Sequence, residues 1–375
     1  MADNKQPIDS HVHLEVEPEI NRYFKAAIKA QASDLHLKVG QPPKLRLNEG
    51  IRSTTAEVLT EEKIEKLVFE ILNEKQKQFL METGNLDFAY EVSQTDRFRV
   101  NVFRQRSKIS LTARRITSLI PPFESLHLPS AVKDIADKSY EGLILVTGPA
   151  GCGKSTTIAS MIDHINQTRS CHIITIEDPL EFVHTDKKAI VSQREIGIDV
   201  RDYEGALNSL TRQDPDVVLI AEMRDKETLS AAIRAAETGQ LVFSTLHSGS
   251  AAQTIQRIVD LFPQEERTLA RQAFAQACRA VISQFLLPGL KKETPMVPAV
   301  EILICNPVVK KNISEGRETE LEAVIRTSQS EGMQSFTESL RALVEGEWID
   351  LKVALQHAPN VEELKMALKG IRRSG

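Results

Sequence analysis

Cysteine is scarce in this sequence. Its four residues, Cys152, Cys171, Cys278 and Cys305, are scattered, and no pair has C-x-x-C spacing. That argues against a structural zinc site, and isolated thiols fit a reduced, cytoplasmic setting. Aromatics are few as well, 5% of the chain with a single Trp, so no platform of rings is present to stack single-stranded nucleic acid. Long apolar runs are missing: Leu143–Val146 and Val217–Ala221 fall far below the ~18 residues that a bilayer span demands. Any membrane contact is therefore expected to be peripheral. The opening Met-Ala-Asp-Asn-Lys-Gln-Pro has neither the basic start nor the apolar core of a signal peptide. Neither sign of charge dominates: 47 Lys and Arg stand against 52 Asp and Glu, a formal net charge of −5. Such a balance provides no broad basic face, and no nucleic-acid partner is expected.

What is there is ordinary globular material. The 375 residues are 41% apolar and 26% charged, which at ~150 residues per domain suggests two or three domains. A chain of this length buries about three quarters of its unfolded surface and needs no disulfides. Residues 1–19 read as a polar tail; His11 and His13 lack the third ligand that a metal site would need. In residues 20–117 a helical stripe (Ile20, Tyr23, Phe24, Ala27, Ile28) precedes alternating stretches at Leu35–Val39, Leu45–Leu47, Phe88–Val92, Phe98–Phe103 and Ile109–Ala113. A second helix opens after Thr60, its expected N-cap. This region is expected to be an α+β unit with an antiparallel sheet. Proline punctuates a linker at 118–130. Beyond it, Leu143–Thr147, Ile173–Glu177, Val217–Ala221 and Leu241–Thr245 are apolar throughout and alternate with helical stretches. That texture predicts an α/β fold with a parallel sheet covered on both faces. The core is expected over 131–290 and a C-terminal helical region over 291–375, with helices at 265–287 and 332–357.

Four strand ends carry chemistry. Gly148-Pro149-Ala150-Gly151-Cys152-Gly153-Lys154-Ser155 fits G-x-x-x-x-G-K-[ST] between an apolar strand and a helix that continues through Thr156. The glycines let backbone N–H groups turn inward toward phosphate oxygens, and the helix N-terminus adds positive potential at the same point. Lys154 would reach the β and γ phosphates, and the Ser155 hydroxyl would bind Mg²⁺. Glu222 ends the strand that begins at Val217, and Glu177 ends the strand Ile173–Glu177. One of these acids would orient the attacking water and the other would support the metal; the sequence leaves the two roles interchangeable. His247 follows Phe243-Ser-Thr-Leu and could sense the γ phosphate. In the first region Arg97 and Arg99 alternate on one strand face, with Arg104, Arg106, Arg114 and Arg115 nearby. They read either as a solvated basic face or as arginine fingers that offset charge on the γ phosphate.

These elements resemble the secretion-superfamily ATPases, and among them the type IV pilus retraction ATPases, the PilT/PilU group. Ser33-Asp-Leu-His36, Arg97-Phe-Arg-Val-Asn-Val-Phe103, the Gly148–Ser155 loop, Ile174 to Glu181, Gln213-Asp-Pro-Asp216 and Glu222-Met-Arg-Asp225 carry the resemblance. Ala235-Ala-Glu-Thr-Gly239, Thr245-Leu-His247, Val281-Ile-Ser-Gln284 and Gly332-Met-Gln334 extend it, so that it runs from about residue 20 to 357. It implies a PAS-like N-terminal α+β domain followed by a RecA-like P-loop ATPase domain with C-terminal helices. It also implies ATP and Mg²⁺ as ligands and a hexameric ring with each nucleotide between the two domains. The implied partner is an inner-membrane pilus platform protein, contacted from the cytoplasm. The implied function is pilus retraction in twitching motility.

Two positions and one segment depart from the family pattern. Ala221 replaces the usual glycine, Gln256 stands where some relatives place a second histidine, and Pro307 to Gly316 replaces an Ala-Ile-Arg-Asn-Leu-Ile-Arg-Glu segment. The third motivates an alternative, an accessory or regulatory nucleotide-binding paralogue that works with a more active ATPase in a pilus or secretion machine.

Overall fold

The structure is a computed structural model. It describes residues 17–47, 50–93, 96–117, 119–210 and 212–370, so His11 and His13 lie outside the described residues. The chain divides into two compact units. The first comprises the described part of Met1–Leu119 with Pro179–Thr185 and Glu195–Arg201; the second holds the rest.

The first unit runs α1 (Asn21–Lys29), β1 (Asp34–Lys38), β2 (Lys44–Leu47), β3 (Gly50–Ser53), α2 (Glu61–Phe69), α3 (Glu74–Thr83), β4 (Asn85–Ser93), β5 (Asp96–Gln105) and β6 (Lys108–Thr117). Its six strands form an antiparallel sheet in the order β3-β2-β1-β6-β5-β4. Phe98, Val100 and Val102 of β5 are fully buried, whereas Arg97 and Arg99 take the opposite face. The Phe24 ring of α1 lies 4.7 Å from Phe98 and 5.2 Å from Tyr90. Full burial of a side chain such as Phe24 or Phe98 contributes roughly 1.5–3 kcal/mol. Thr60 caps α2 as expected, accepting from the Lys63 N–H at 3.2 Å.

The second unit opens with α4 (Ser130–Lys138), β7 (Gly142–Thr147), α5 (Lys154–Thr168), β8 (His172–Glu177), β9 (Ile190–Glu195) and α6 (Tyr203–Leu210). It continues with β10 (Val217–Glu222), α7 (Lys226–Glu237), β11 (Leu241–Leu246), α8 (Ala251–Asp260), α9 (Arg267–Ala277), β12 (Cys278–Pro288) and β13 (Met296–Ile304). The helices α10 (Pro307–Ser314), α11 (Leu321–Thr327), α12 (Phe336–Glu345), α13 (Leu351–His357) and α14 (Val361–Leu368) follow. The sheet order is β13-β12-β7-β11-β10-β8-β9. β12, β7, β11, β10 and β8 are parallel to one another, and β13 returns antiparallel to β12. One face, with Ile144, Val146, Leu219 and Phe243, packs on Ile158, Ile162 and Ile165 of α5 and Ile135 of α4. The alternate residues Leu143, Leu145, Val218 and Ile220 are buried too, which is why these strands read as unbroken apolar runs.

Two segments differ from the sequence reading. Residues 265–287, expected to be helical, give α9 and then the strand β12, and the C-terminal region expected over 291–375 begins with β13. A strand buried on both faces shows no alternation, so periodicity cannot separate it from a buried helix. β12 and β13 pair residue by residue, with Gln284 opposite Val300. Val300 is held in turn by α12 and its approach: its N–H donates to Ser339 Oγ and its carbonyl accepts from Gln334 Nε2, both at 2.9 Å.

Candidate nucleotide-binding site

The carboxyl ends of β7, β8, β10 and β11 meet at one edge of the sheet, where open α/β sheets bind ligands. From β7 the chain enters the loop Gly148–Gly153 and then α5. Gly148, Gly151 and Gly153 have φ of 147°, 75° and 89°, which L side chains rarely adopt. A Cβ on Gly148 would lie 2.1 Å from the Gln284 carbonyl oxygen and 2.5 Å from Cys152 Sγ. The loop therefore rests directly against β12. Gly153 caps α5 without a side-chain acceptor, so the first N–H groups of α5 face a ligand position. Ser155 and Thr156 occupy the first turn of α5.

Gln284 ties this loop down. Its Nε2 donates to the Cys152 carbonyl at 2.7 Å, and its Oε1 accepts from Thr157 Oγ1 at 2.9 Å. Burial pushes the Cys152 thiol up, against a smaller pull from Lys154, which keeps it protonated. Lys154 is buried, with Nζ 3.0 Å from the carbonyls of both Gly148 and Pro149 and 3.4 Å from Nδ1 of His247.

His247 Nε2 is 3.3 Å from Glu222 Oε1, and Arg224 Nε donates to Glu222 Oε2 at 2.7 Å. Arg224 also reaches Asp178 at 3.4 Å. The side-chain bond to Glu222 is the main reason that the Arg224 guanidinium is held above its usual range. A bulge between Ile220 and Glu222 turns the end of β10, and Thr245 Oγ1 fixes it by donating to the Ala221 carbonyl at 2.6 Å. Alanine at 221 thus sits in a bulge that Thr245 stabilises. Glu177 is buried at the end of β8 and accepts from Gln193 Nε2 at 3.3 Å. The Arg257 guanidinium donates to the His247 carbonyl at 2.7 Å.

The structure brings Lys154, His247 and Glu222 into one continuous chain of contacts, with Glu177 on the strand beside β10. Sequence reasoning missed the roles of Gln284, Arg224, Gln193 and Tyr203. Among the described residues, the buried Tyr203 hydroxyl has no hydrogen-bond partner. Burial first, and then the charges of Asp178, Glu222 and Glu177, push it up to about 12. The predicted arginines lie in the first unit, each paired there: Arg97 with Glu195 at 3.5 Å, Arg99 with Asp87 at 4.0 Å, Arg114 with Asp34 at 3.0 Å and Arg115 with Asp96 at 2.8 Å.

A glycine-rich cradle, a lysine at its base and carboxylates across from it can bind and cleave a polyphosphate. The donor set also fits Mg²⁺. Among the described residues no group of three or more His, Cys, Asp or Glu forms a protein-only metal cage. Mg²⁺ characteristically takes one or two protein oxygens and leaves the rest to phosphates and water. Among the described residues no helix is long and apolar enough to cross a membrane.

The sequence matches the family described as type II/IV secretion system protein over residues 126–345. It is 42% identical over 326 residues to the type IV pilus retractation ATPase PilT of Pseudomonas aeruginosa, covering 87% of this chain and 94% of that protein. It is 33% identical over 351 residues to the type IV pilus ATPase PilU of the same organism, covering 94% and 91%. The fold is similar to the crystal structure of the pilus retraction motor PilT with bound ADP, with a TM-score of 0.83, 43% identity, and coverage of 93% of this chain and 99% of that one. The chain therefore belongs to the type II/IV secretion system protein family, among its type IV pilus retraction ATPases.

Proposed function

We propose that this protein is an ATP-hydrolysing hexameric motor that drives type IV pilus retraction, and through it twitching motility. The observation that carries the reading is the contact chain from Lys154 through His247 to Glu222 at the carboxyl edge of the sheet. The loop N–H groups would hold the β phosphate, and Lys154 would leave the Gly148 and Pro149 carbonyls to reach the β and γ phosphates. Ser155 and Glu222 would hold Mg²⁺. Bound there, the ion would neutralise charge on the β and γ oxygens. Glu222 suits that place because its partners, Arg224 and His247, are basic. Glu177, buried at the end of the strand beside β10, would orient the attacking water. Arg97, Arg99, Arg114 and Arg115 would offset charge on the terminal phosphate by exchanging their carboxylate partners for it. ATP drives work only by favouring one conformation over another.

The protein would act from the cytoplasm on an inner-membrane platform protein of the pilus machine, and a paralogous ATPase could share that machine. The accessory alternative predicts nucleotide binding with turnover only on mixing with a paralogue. The higher identity to PilT than to PilU, 42% against 33%, favours the motor. The deciding experiment is phosphate release from ATP by the full chain with and without Mg²⁺. Lys154→Ala should abolish turnover; undiminished turnover would overturn the site assignment. A deletion strain should lose surface motility.

A further inference from the structure

His247 is exposed and lies on the connection that leads from β11 into α8. Its ring contacts, 3.3 and 3.4 Å, are near the long end of the hydrogen-bond range. Its place is therefore set by what holds the connection. We infer that Thr254 of α8 is a positioning residue for His247: its buried hydroxyl joins the residue after the histidine to the strand that carries the phosphate loop. The inference rests on the site reading above and adds to it the group that fixes the span between histidine and loop.

The pattern of α8 singles out this residue. Ala251, Thr254, Ile255, Ile258 and Val259 recur at helical spacing, and all five are buried. Four of them are apolar. Thr254 is polar and fully buried, and a hydroxyl in such a place needs partners. Thr254 Oγ1 lies 2.7 Å from the Ser250 carbonyl, 2.6 Å from Ser248 Oγ and 3.4 Å from Thr147 Oγ1. Thr147 Oγ1 lies in turn 2.8 Å from Ser283 Oγ. Thr147 and Ser283 are fully buried and stand side by side on β7 and β12.

The single proton on Thr254 sets the direction of these bonds. A carbonyl only accepts, so that proton goes to Ser250, with Thr147 Oγ1 as a longer second acceptor. The Thr254 oxygen then offers only lone pairs, and Ser248 must donate to it.

Ser248 adjoins His247, and Thr147 adjoins Gly148. One oxygen atom thus gathers the residue after the histidine and the residue before the loop. Two further side chains of α8 close the same connection. Gln253 Oε1 accepts the Gly249 N–H at 3.1 Å, and Arg257 donates to the His247 carbonyl at 2.7 Å. Those two fasten the connection to α8, whereas Thr254 also reaches β7. The helix itself is seated on β13 through the Ala251 N–H, which donates to Glu301 at 2.8 Å. Losing the Thr254 hydroxyl therefore unties the connection from β7 while α8 keeps its seat, and His247 loses its fixed span to Lys154. A shift of about 1 Å in a reacting group is enough to lower a rate severely.

The test separates the hydroxyl from the packing around it. Thr254→Val keeps the branched shape and removes the hydroxyl; Thr254→Ser keeps the hydroxyl. Phosphate release from ATP and calorimetry with ADP would be measured on the full chain. Thr254→Val should lower kcat by about tenfold, with Kd for ADP within about twofold of the wild type. Thr254→Ser should stay within about threefold of the wild-type kcat. Coupling is the sharper readout: in a His247→Ala background, Thr254→Val should change kcat by less than about twofold, because the group it positions is gone. A full tenfold loss in that background would overturn the inference. Wild-type kcat in Thr254→Val would overturn it as well, as would an equal loss in Thr254→Ser or a loss of ADP affinity as large as that in kcat. Should Thr254→Val not fold, Ser248→Ala at a half-buried position takes its place in each comparison with the wild type and with His247→Ala. If His247→Ala alone left kcat unchanged, the site reading would fail, and this inference with it.

Discussion

His247 stands between Glu222 and Lys154, with Nε2 3.3 Å from the Glu222 carboxylate and Nδ1 3.4 Å from the Lys154 ammonium. A lysine ammonium has no acceptor, so Nδ1 must supply the lone pair. The proton therefore sits on Nε2 and points at Glu222. This tautomer makes the imidazole a link between the phosphate loop and the end of β10, and any shift of Lys154 toward a ligand alters the partner that His247 sees.

Replacing His247 by alanine removes that link without touching the cradle. His247→Ala should lower kcat for ATP hydrolysis by about tenfold to hundredfold, while Kd for ADP stays within about twofold. Steady-state phosphate release and calorimetry check the two quantities. An equal loss in both would assign the residue to binding alone.

The two strand-end acids should separate by readout. Glu222→Gln should raise the Mg²⁺ concentration needed for half-maximal activity, and Glu177→Gln should depress kcat by about hundredfold with little change in that requirement. Magnesium titrations of both variants decide the matter; the opposite pattern would exchange the roles.

Gln284→Ala should destabilise the second unit by about 2 kcal/mol, because the Cys152 carbonyl and the Thr157 hydroxyl would both lose a buried partner. Nucleotide affinity should fall with it, as the loop is no longer tied to β12. Urea unfolding with and without ADP reads both effects. A variant as stable as the wild type would mean that water replaces the amide.

Glu301 gives the pH prediction. Its carboxylate accepts the Ala251 N–H at the start of α8 at 2.8 Å. Burial pushes it up to about 7 from 4.5; the Ala251 bond opposes that rise and Glu322 adds to it. Because the folded value is the higher one, the unfolded chain ionises first and the native state loses stability as pH climbs from about 4.5 to 7. That gap corresponds to roughly 3 kcal/mol. Glu301→Gln keeps an acceptor for Ala251 and removes the titration. Relative to the wild type, the variant should therefore gain stability over this interval in urea unfolding at pH 4.5 and 7.5. A pH-independent difference would contradict the assignment.

Much of the site could be read from the residues because it is local. The loop lies between a strand and a helix within one short stretch, and Glu177, Glu222 and His247 each end an apolar run or closely follow one. The rest was hidden for physical reasons. Gln284 acts on Cys152 across 132 residues, and no local pattern reports such a contact. The helix α3 was missed because its sequence, EKQKQFLMET, buries only Gln76 and Leu80. Its signals were at its ends, the Asn73–Gln76 capping box and the left-handed Gly84. The alternation of Arg97 and Arg99 placed both correctly on one face of β5, but their carboxylate partners come from β4 and from Glu195, far along the chain.

Gln284 faces Val300 across the β12–β13 ladder, and Val300 is bolted by both its polar groups to Ser339 and Gln334. The cradle, two strands and a C-terminal helix are therefore spliced into a single stiff spar. Strain introduced at one end of such a spar cannot relax where it arises. It is delivered to the far end as displacement, which is what a machine that pulls on something else requires.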